Sequence, residues 1–204
     1  TLKTALKLHQ SDIYVISVQT PIDEEKKPIL TYVEEASVDV GKVLKRDDLV
    51  IVRSTVPVGT CRSLVLPILE RESGLKGGRD FFIAMAPERT AAGQALKEIR
   101  ELPQIIGGLD STSCELASKL FRRLTATIVN VGSLEEAELI KLVDNTYRDV
   151  TFAYANEIAL MCDRLKVDAA KIIRAANEGY PRNNIPVPSP GVGGVCLKKD
   201  PYIF

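Results

Sequence analysis

A chain of 204 residues that is 45% hydrophobic and 26% charged has the apolar material for one well-formed core and a smaller second one. Its 27 basic residues balance its 27 acidic ones, which leaves no net field to favour nucleic acid or an anionic membrane. No apolar run approaches the length of a membrane span, and residues 1–9 are amphipathic but too polar and short for a signal peptide. Cys61, Cys114, Cys162 and Cys196 are widely spaced without a C-x-x-C pair, and His9 is the sole histidine. That usage suggests neither a zinc site nor a disulfide framework, so no metal is expected and the cytoplasm is the expected compartment.

In chain order, residues 13–18, 49–52, 81–85, 104–106 and 127–131 read as strands. They are rich in Ile, Val and Phe and apolar on both faces, the pattern of a buried parallel sheet. Helices between them carry capping-box spacing at Thr31 with Glu34, Thr112 with Glu115 and Ser133 with Glu136. The alternation predicts an α/β fold, part of a doubly wound parallel-sheet (Rossmann-like) domain over residues 1–132. From Ser133 to Lys166 there is neither Pro nor Gly, and Leu139, Leu142, Val143, Thr146, Val150, Ala153, Ile158 and Met161 recur at helical spacing. This predicts one helix of about thirty residues. Asp168 is placed to cap a shorter helix ending at Gly179, and a Pro-rich segment, 181–190, leads into a Gly-rich cysteine loop. Residues 133–204 therefore read as a central helical region packing against another subunit, with an inter-domain spacer as the alternative.

Polar residues gather where open α/β sheets place ligands, at the carboxyl ends of strands. Ser17 to Pro21 ends the first strand, Arg53 to Thr60 the second, and Met85 to Arg89 the third. Singly each is ordinary turn chemistry; three in succession point to one crevice. In the last loop Cys196 follows Gly191, Gly193 and Gly194 and precedes Lys198, Lys199 and Asp200. Glycines let backbone and substrate approach a sulfur closely, ammonium groups favour the thiolate, and a carboxylate four residues on can relay protons. The alternative is a small buried cysteine beside a turn.

The ordered set Thr20-Pro21, Ser54-Thr55-Val56-Pro57-Val58-Gly59, Pro87-Glu88-Arg89, Lys141 with Asn145, and Gly193-Gly194-Val195-Cys196 with Asp200 resembles the UDP-glucose/GDP-mannose dehydrogenase family. The resemblance covers essentially the whole chain. It implies an NAD-dependent, four-electron oxidation of the C6 alcohol of a sugar nucleotide, through the aldehyde, to a uronic acid. Cys196 is then the nucleophile that forms a thiohemiacetal and, after the second oxidation, a thioester. Lys141 stabilises the oxyanion, and Asn145, one helical turn on, holds it or a water. Asp200 is the acid/base partner, Thr55 positions a water or touches the cofactor, and Glu88 assists thioester hydrolysis. Thr20, Pro21, Ser54 and Thr55 are the implied cofactor contacts, and Gly193 and Gly194 flank the substrate. Without the family, Lys141 and Asn145 read as an exposed charge and a tolerated helix asparagine.

UDP-glucose members of the family carry Pro-Glu-Phe at the third strand end and a second Glu four residues after the first; here Arg89 and Ala92 stand there. Pro87-Glu88-Arg89, Gly93-Gln94, the segment 180–185 and Asp200-Pro201 look like the branch acting on UDP-N-acetylhexosamines, UDP-N-acetylmannosamine above all. Arg182 and Asn184 become candidate substrate contacts, and UDP-glucose is the alternative substrate. The family's opening G-x-G-x-x-G, which admits the dinucleotide pyrophosphate, is absent from the chain, as is its second α/β domain. The expectation is a fragment, inactive alone, that forms a homodimer through the long helix. A catalytically inactive dimerisation fragment is the reading of another class.

Overall fold

The computed structural model describes residues 5, 8–194 and 196–204; Val195 of the cysteine loop and most of the amphipathic opening lie outside the described residues. Two compact units make up the chain, residues 1–141 and 142–204, and their boundary falls inside the long helix.

The first unit is built on a five-stranded sheet, β1 (Ile13–Ile16), β2 (Leu49–Val52), β3 (Phe82–Met85), β4 (Gln104–Gly108) and β5 (Ile128–Ser133), in the spatial order β1-β2-β3-β4-β5. Between the strands lie α1 (Thr31–Val43), a π-helical turn (Cys61–Val65) continuing into α2 (Leu66–Ser73), α3 (Ala95–Glu101) and α4 (Ser111–Phe121). All four side chains of β2 are buried. Val50 and Val52 pack with Tyr14, Ile16, Val33, Val40 and Leu69, while Leu49 and Ile51 pack with Ala84, Ala117 and Phe121. Helices thus cover both faces of the central strands, as expected for a doubly wound sheet.

The all-parallel expectation fails at one pairing. β1, β2 and β3 are mutually parallel, but β4 runs antiparallel to β3, Ala84 opposite Gly108 and Met85 opposite Gly107, and β5 then pairs parallel to β4. A parallel connection needs a crossover that lies on the sheet. The helix in this connection, α3, buries none of its residues, and Leu96 is 86% exposed, so the chain turns back at the carboxyl end of β3 instead of crossing. The outer strands also depart from the both-faces-buried pattern. β1 alternates exposed and buried, leaving Ile13 and Val15 in solvent, and no residue of β5 is fully buried. A side chain is excluded at Gly107, where a Cβ would lie 1.8 Å from the Ser133 carbonyl oxygen.

Of the three capping boxes one forms. The Ser133 amide donates to Glu136 at 3.0 Å and the Glu136 amide to the Ser133 hydroxyl at 3.2 Å. At α4 the cap is Asp110, whose carboxylate accepts from the Ser113 amide at 2.7 Å and leaves Thr112 inside the helix; an extended carboxylate competes better than the hydroxyl two residues on. At α1 the N-cap is Leu30, with no side-chain hydrogen bond.

The long helix, α5 (Leu134–Leu165), runs 32 residues, and α6 (Ala169–Asn177) is capped by Asp168, which accepts from the Lys171 amide at 3.1 Å. A final turn, α7 (Asp200–Ile203), follows the cysteine loop. In the second unit the Pro-rich segment is held by two asparagines. Asn177 donates to the Ile185 carbonyl at 2.9 Å and accepts the Ile185 amide at 3.0 Å, and Asn156 accepts the Ser189 amide at 2.9 Å.

Candidate functional site

In the first unit the sheet brings Thr20, Pro21, Ser54 and Thr55 together at the carboxyl ends of β1 and β2. The Ser54 hydroxyl donates to the Val18 carbonyl and accepts the Val18 amide, both at 2.8 Å. Thr20 donates to the Thr55 carbonyl at 2.6 Å. Both hydroxyl residues are buried, whereas Pro21 and Thr55 are half-buried. Thr20 and Ser54 therefore stitch the strand ends to each other, and Pro21 and Thr55 remain partly open to a ligand.

Glu88, at the end of β3, accepts from the Thr90 amide at 2.8 Å and pairs with the Arg53 guanidinium. Burial alone would raise the Glu88 carboxyl; the Thr90 amide and the Arg53 charge outweigh it and hold the group below the usual carboxylate range. Glu88 is thus an ionised acceptor at neutral pH. The sequence reading missed Arg53 as a partner. Its guanidinium lies 5.1 Å from the Phe121 ring centroid and donates to Gln104 at 3.3 Å, an arrangement a single cation directly after an all-apolar strand could have signalled.

Lys141, half-buried, and Asn145, 4% exposed, stand four residues apart on α5. Within the second unit the Asn145 amide donates to Asp200 at 2.5 Å, and the other Asp200 oxygen pairs with Lys199 at 2.5 Å. The Asp200 carboxylate is completely buried, so its charge is compensated on both oxygens, as a buried carboxylate requires. The Asp200 amide donates to the Cys196 carbonyl at 2.9 Å, which sets the thiol one turn before the carboxylate. Gly191 and Gly194 have φ of 83° and 92°, left-handed values that side chains resist, and no heavy atom lies within 4 Å of a Cβ built on Gly191, Gly193 or Gly194.

Cys196 is exposed, while Cys61, Cys114 and Cys162 are buried. Burial pushes the Cys61 thiol well up, with Glu138 adding to the rise, and burial raises the Cys114 thiol too. Limited iodoacetamide treatment at neutral pH followed by peptide mapping is therefore expected to label Cys196 ahead of the other three; equal labelling would count against an accessible nucleophile.

Arg182 and Asn184 line a pocket of about 150 Å³ with Tyr147, Thr151, Tyr154 and Asn183. The Arg182 guanidinium lies 4.4 Å from the Tyr180 ring centroid. A second pocket of about 370 Å³, lined by Asp149, Val192, Leu197, Lys198, Pro201 and Tyr202, adjoins the cysteine loop. The two share no lining residue. Tyr147 and Tyr154 were not singled out from the sequence; seven residues apart on α5, they share a face. Among the described residues no group of His, Cys, Asp and Glu is arranged to hold a metal, and no helix is long and apolar enough to cross a membrane.

Residues 1–125 match the model of the UDP-glucose/GDP-mannose dehydrogenase family, NAD binding domain, and residues 135–204 that of the family's central domain. A UDP-N-acetyl-D-mannosamine dehydrogenase of Pyrococcus horikoshii is 41% identical over 197 residues, 97% of this chain and 46% of the relative. An NDP-N-acetyl-D-galactosaminuronic acid dehydrogenase of Ralstonia solanacearum is 37% identical over 209 residues, 100% of this chain and 49% of the relative. The solved structure of the Pyrococcus horikoshii UDP-D-ManNAc dehydrogenase superimposes with a TM-score of 0.90 over 95% of this chain and 46% of its own. That of a UDP-glucose dehydrogenase from Pyrobaculum islandicum gives 0.84 at 30% identity, over 95% of this chain and 45% of its own. The chain spans about half the length of these relatives.

Proposed function

The chain belongs to the UDP-glucose/GDP-mannose dehydrogenase family, and from that premise we propose that the protein is an NAD-dependent nucleotide-sugar 6-dehydrogenase whose substrate is a UDP-N-acetylhexosamine, with UDP-N-acetylmannosamine first among them. The observation that carries the proposal is an exposed Cys196 in a loop of left-handed glycines, one turn before a buried Asp200 held by Asn145 and Lys199.

NAD, held along the carboxyl ends of β1 and β2, would supply the hydride acceptor for the two oxidations. Pro21 and Thr55 fit its contact side, since they are the half-open residues at the carboxyl ends of β1 and β2, and Thr20 and Ser54 shape that edge through the main chain. Loss of a hydride from C6 and a proton from its hydroxyl gives the aldehyde. The Cys196 thiolate adds to that carbonyl carbon, and the oxygen gains a proton to complete the thiohemiacetal. A second hydride and the hydroxyl proton leave, giving the thioester; water then cleaves the C–S bond and returns the thiol. Lys141 offsets negative charge on the oxygen as it develops. Asp200 takes and returns protons, and Asn145, bonded to it, fixes its orientation while its remaining hydrogen-bonding capacity can serve a water. Glu88, ionised, orients the hydrolytic water. Arg182, Asn184, Gly193 and Gly194 contact the UDP-sugar. In this reading residues 1–132 are the later part of the NAD-binding domain and 133–204 the central dimerisation region with the cysteine loop. Four unpaired cysteines fit a cytoplasmic setting.

Substrate choice is tested by following NADH at equal concentrations of UDP-N-acetylmannosamine, UDP-N-acetylglucosamine and UDP-glucose, with the protein expressed from its complete reading frame. The highest kcat/KM is expected with UDP-N-acetylmannosamine. A preference for UDP-glucose would move the protein to the alternative.

A homodimer through α5 is the second element of the reading. Val143, Tyr147, Val150, Tyr154, Met161 and Leu165, spaced along α5, are all exposed large apolar or aromatic side chains, a stripe of the kind that helix pairs bury. Sedimentation equilibrium at tens of micromolar, an order-of-magnitude choice for such interfaces, should give a two-fold dimer. A well-folded monomer there would reject it and, with it, the dimerisation-fragment alternative.

A further inference from the structure

Glu138, on the second turn of α5, is 1% exposed, and the chemistry proposed above leaves it without a role. Its carboxylate accepts from the Gly59 amide at 2.6 Å and the Cys61 amide at 2.7 Å. The Gly59 amide precedes the N-cap residue Thr60 and the Cys61 amide opens the π-helical turn that runs into α2; an N-cap side chain reaches the second or third helical amide, so neither donor has a local side-chain partner by the ordinary capping pattern. The Thr60 hydroxyl donates to the Pro57 carbonyl at 2.7 Å, closing the same turn from within. The amides are claimed by a residue more than seventy positions away in sequence. Burial pushes the Glu138 carboxyl up despite its hydrogen bonds, so the contact is kept at a desolvation cost.

What the contact joins is specific. On one side is the turn that follows Thr55, with Gly59 at a left-handed φ of 92°. Its upstream end is already fixed by Ser54 on Val18 and by Thr20 on the Thr55 carbonyl. On the other side is α5, where Lys141 follows Glu138 by three residues and so lies on the neighbouring position of the same face. We propose that Glu138 is a positioning residue: it locks the Pro57–Cys61 turn, and through it Thr55, to the stretch of α5 that carries Lys141. The proposal rests on the dehydrogenase reading.

The test compares wild type, Glu138→Gln, Thr55→Ala and the double variant, each expressed from the complete reading frame. Glutamine keeps the shape and one acceptor oxygen but sets an NH2 against one of the two amides, leaving that donor unmatched. Glu138→Gln is expected to lower kcat by between about tenfold and a hundredfold, the cost of a small displacement of a reacting geometry, with KM for the UDP-sugar unchanged. In the Thr55→Ala background the same substitution should cost nothing further, because its effect passes through Thr55. Losses that multiply in the double variant, or an unchanged kcat in Glu138→Gln, would overturn the proposal while leaving the dehydrogenase reading intact. An inactive wild type would overturn both. Should Glu138→Gln not fold, Gly59→Ala strains the same turn from its other end, with nothing within 4 Å of the added methyl, and must give the same loss of kcat and the same absence of further loss with Thr55→Ala; independent losses there too would overturn the proposal.

Discussion

Cys196→Ser is expected to abolish net uronic acid formation. A serine hydroxyl at neutral pH is a far poorer nucleophile than a thiolate. The first oxidation needs no covalent bond to the enzyme, so the variant should retain alcohol-to-aldehyde turnover out of proportion to its acid output. Separating aldehyde and acid by mass spectrometry after a fixed amount of NADH has formed distinguishes the steps. Acid production at the wild-type rate would remove Cys196 from the mechanism.

Lys141→Ala carries the second-largest expected effect. The side chain is half-buried on α5, where solvent screens a charge less than at the surface. Removing a preorganised donor from a developing oxyanion costs on the order of a hundredfold or more in kcat. Because the charge develops in the transition state, KM for the UDP-sugar should change little. Steady-state kinetics with near-normal kcat and a raised KM would instead make Lys141 a ground-state binding residue.

How far these residues could be read from sequence depended on the range of their interactions. β2 was legible because Leu49 to Val52 are apolar at every position, so they fit the buried centre of a sheet in either register. The direction of β4 was not. It depends on whether α3 covers the sheet, and a helix of Ala95 to Glu101 with no buried residue gives no crossover. Ser133 and Glu136 formed the expected box because nothing nearby outcompetes the hydroxyl, whereas at Ser111–Thr112 the preceding Asp110 does. Asn145 was legible as a neighbour of Lys141 along α5, but not as the partner of Asp200, 55 positions away. Arg53 with Glu88 and Glu138 with the Gly59 turn are likewise pairs closed by tertiary folding, at separations of 35 and 79 residues. Local periodicity carries no information about such pairs.

The four-electron chemistry through Cys196 makes a stoichiometric demand on the protein expressed from its complete reading frame. The decisive measurement is the number of NADH molecules released per molecule of uronic acid formed from UDP-N-acetylmannosamine, with NADH read by absorbance and the acid by mass spectrometry. Two hydrides leave the same carbon before hydrolysis, so the predicted ratio is two NADH per acid, with no accumulation of free aldehyde. One NADH per product with release of the aldehyde, or no NADH with any UDP-N-acetylhexosamine or UDP-glucose, would contradict the account.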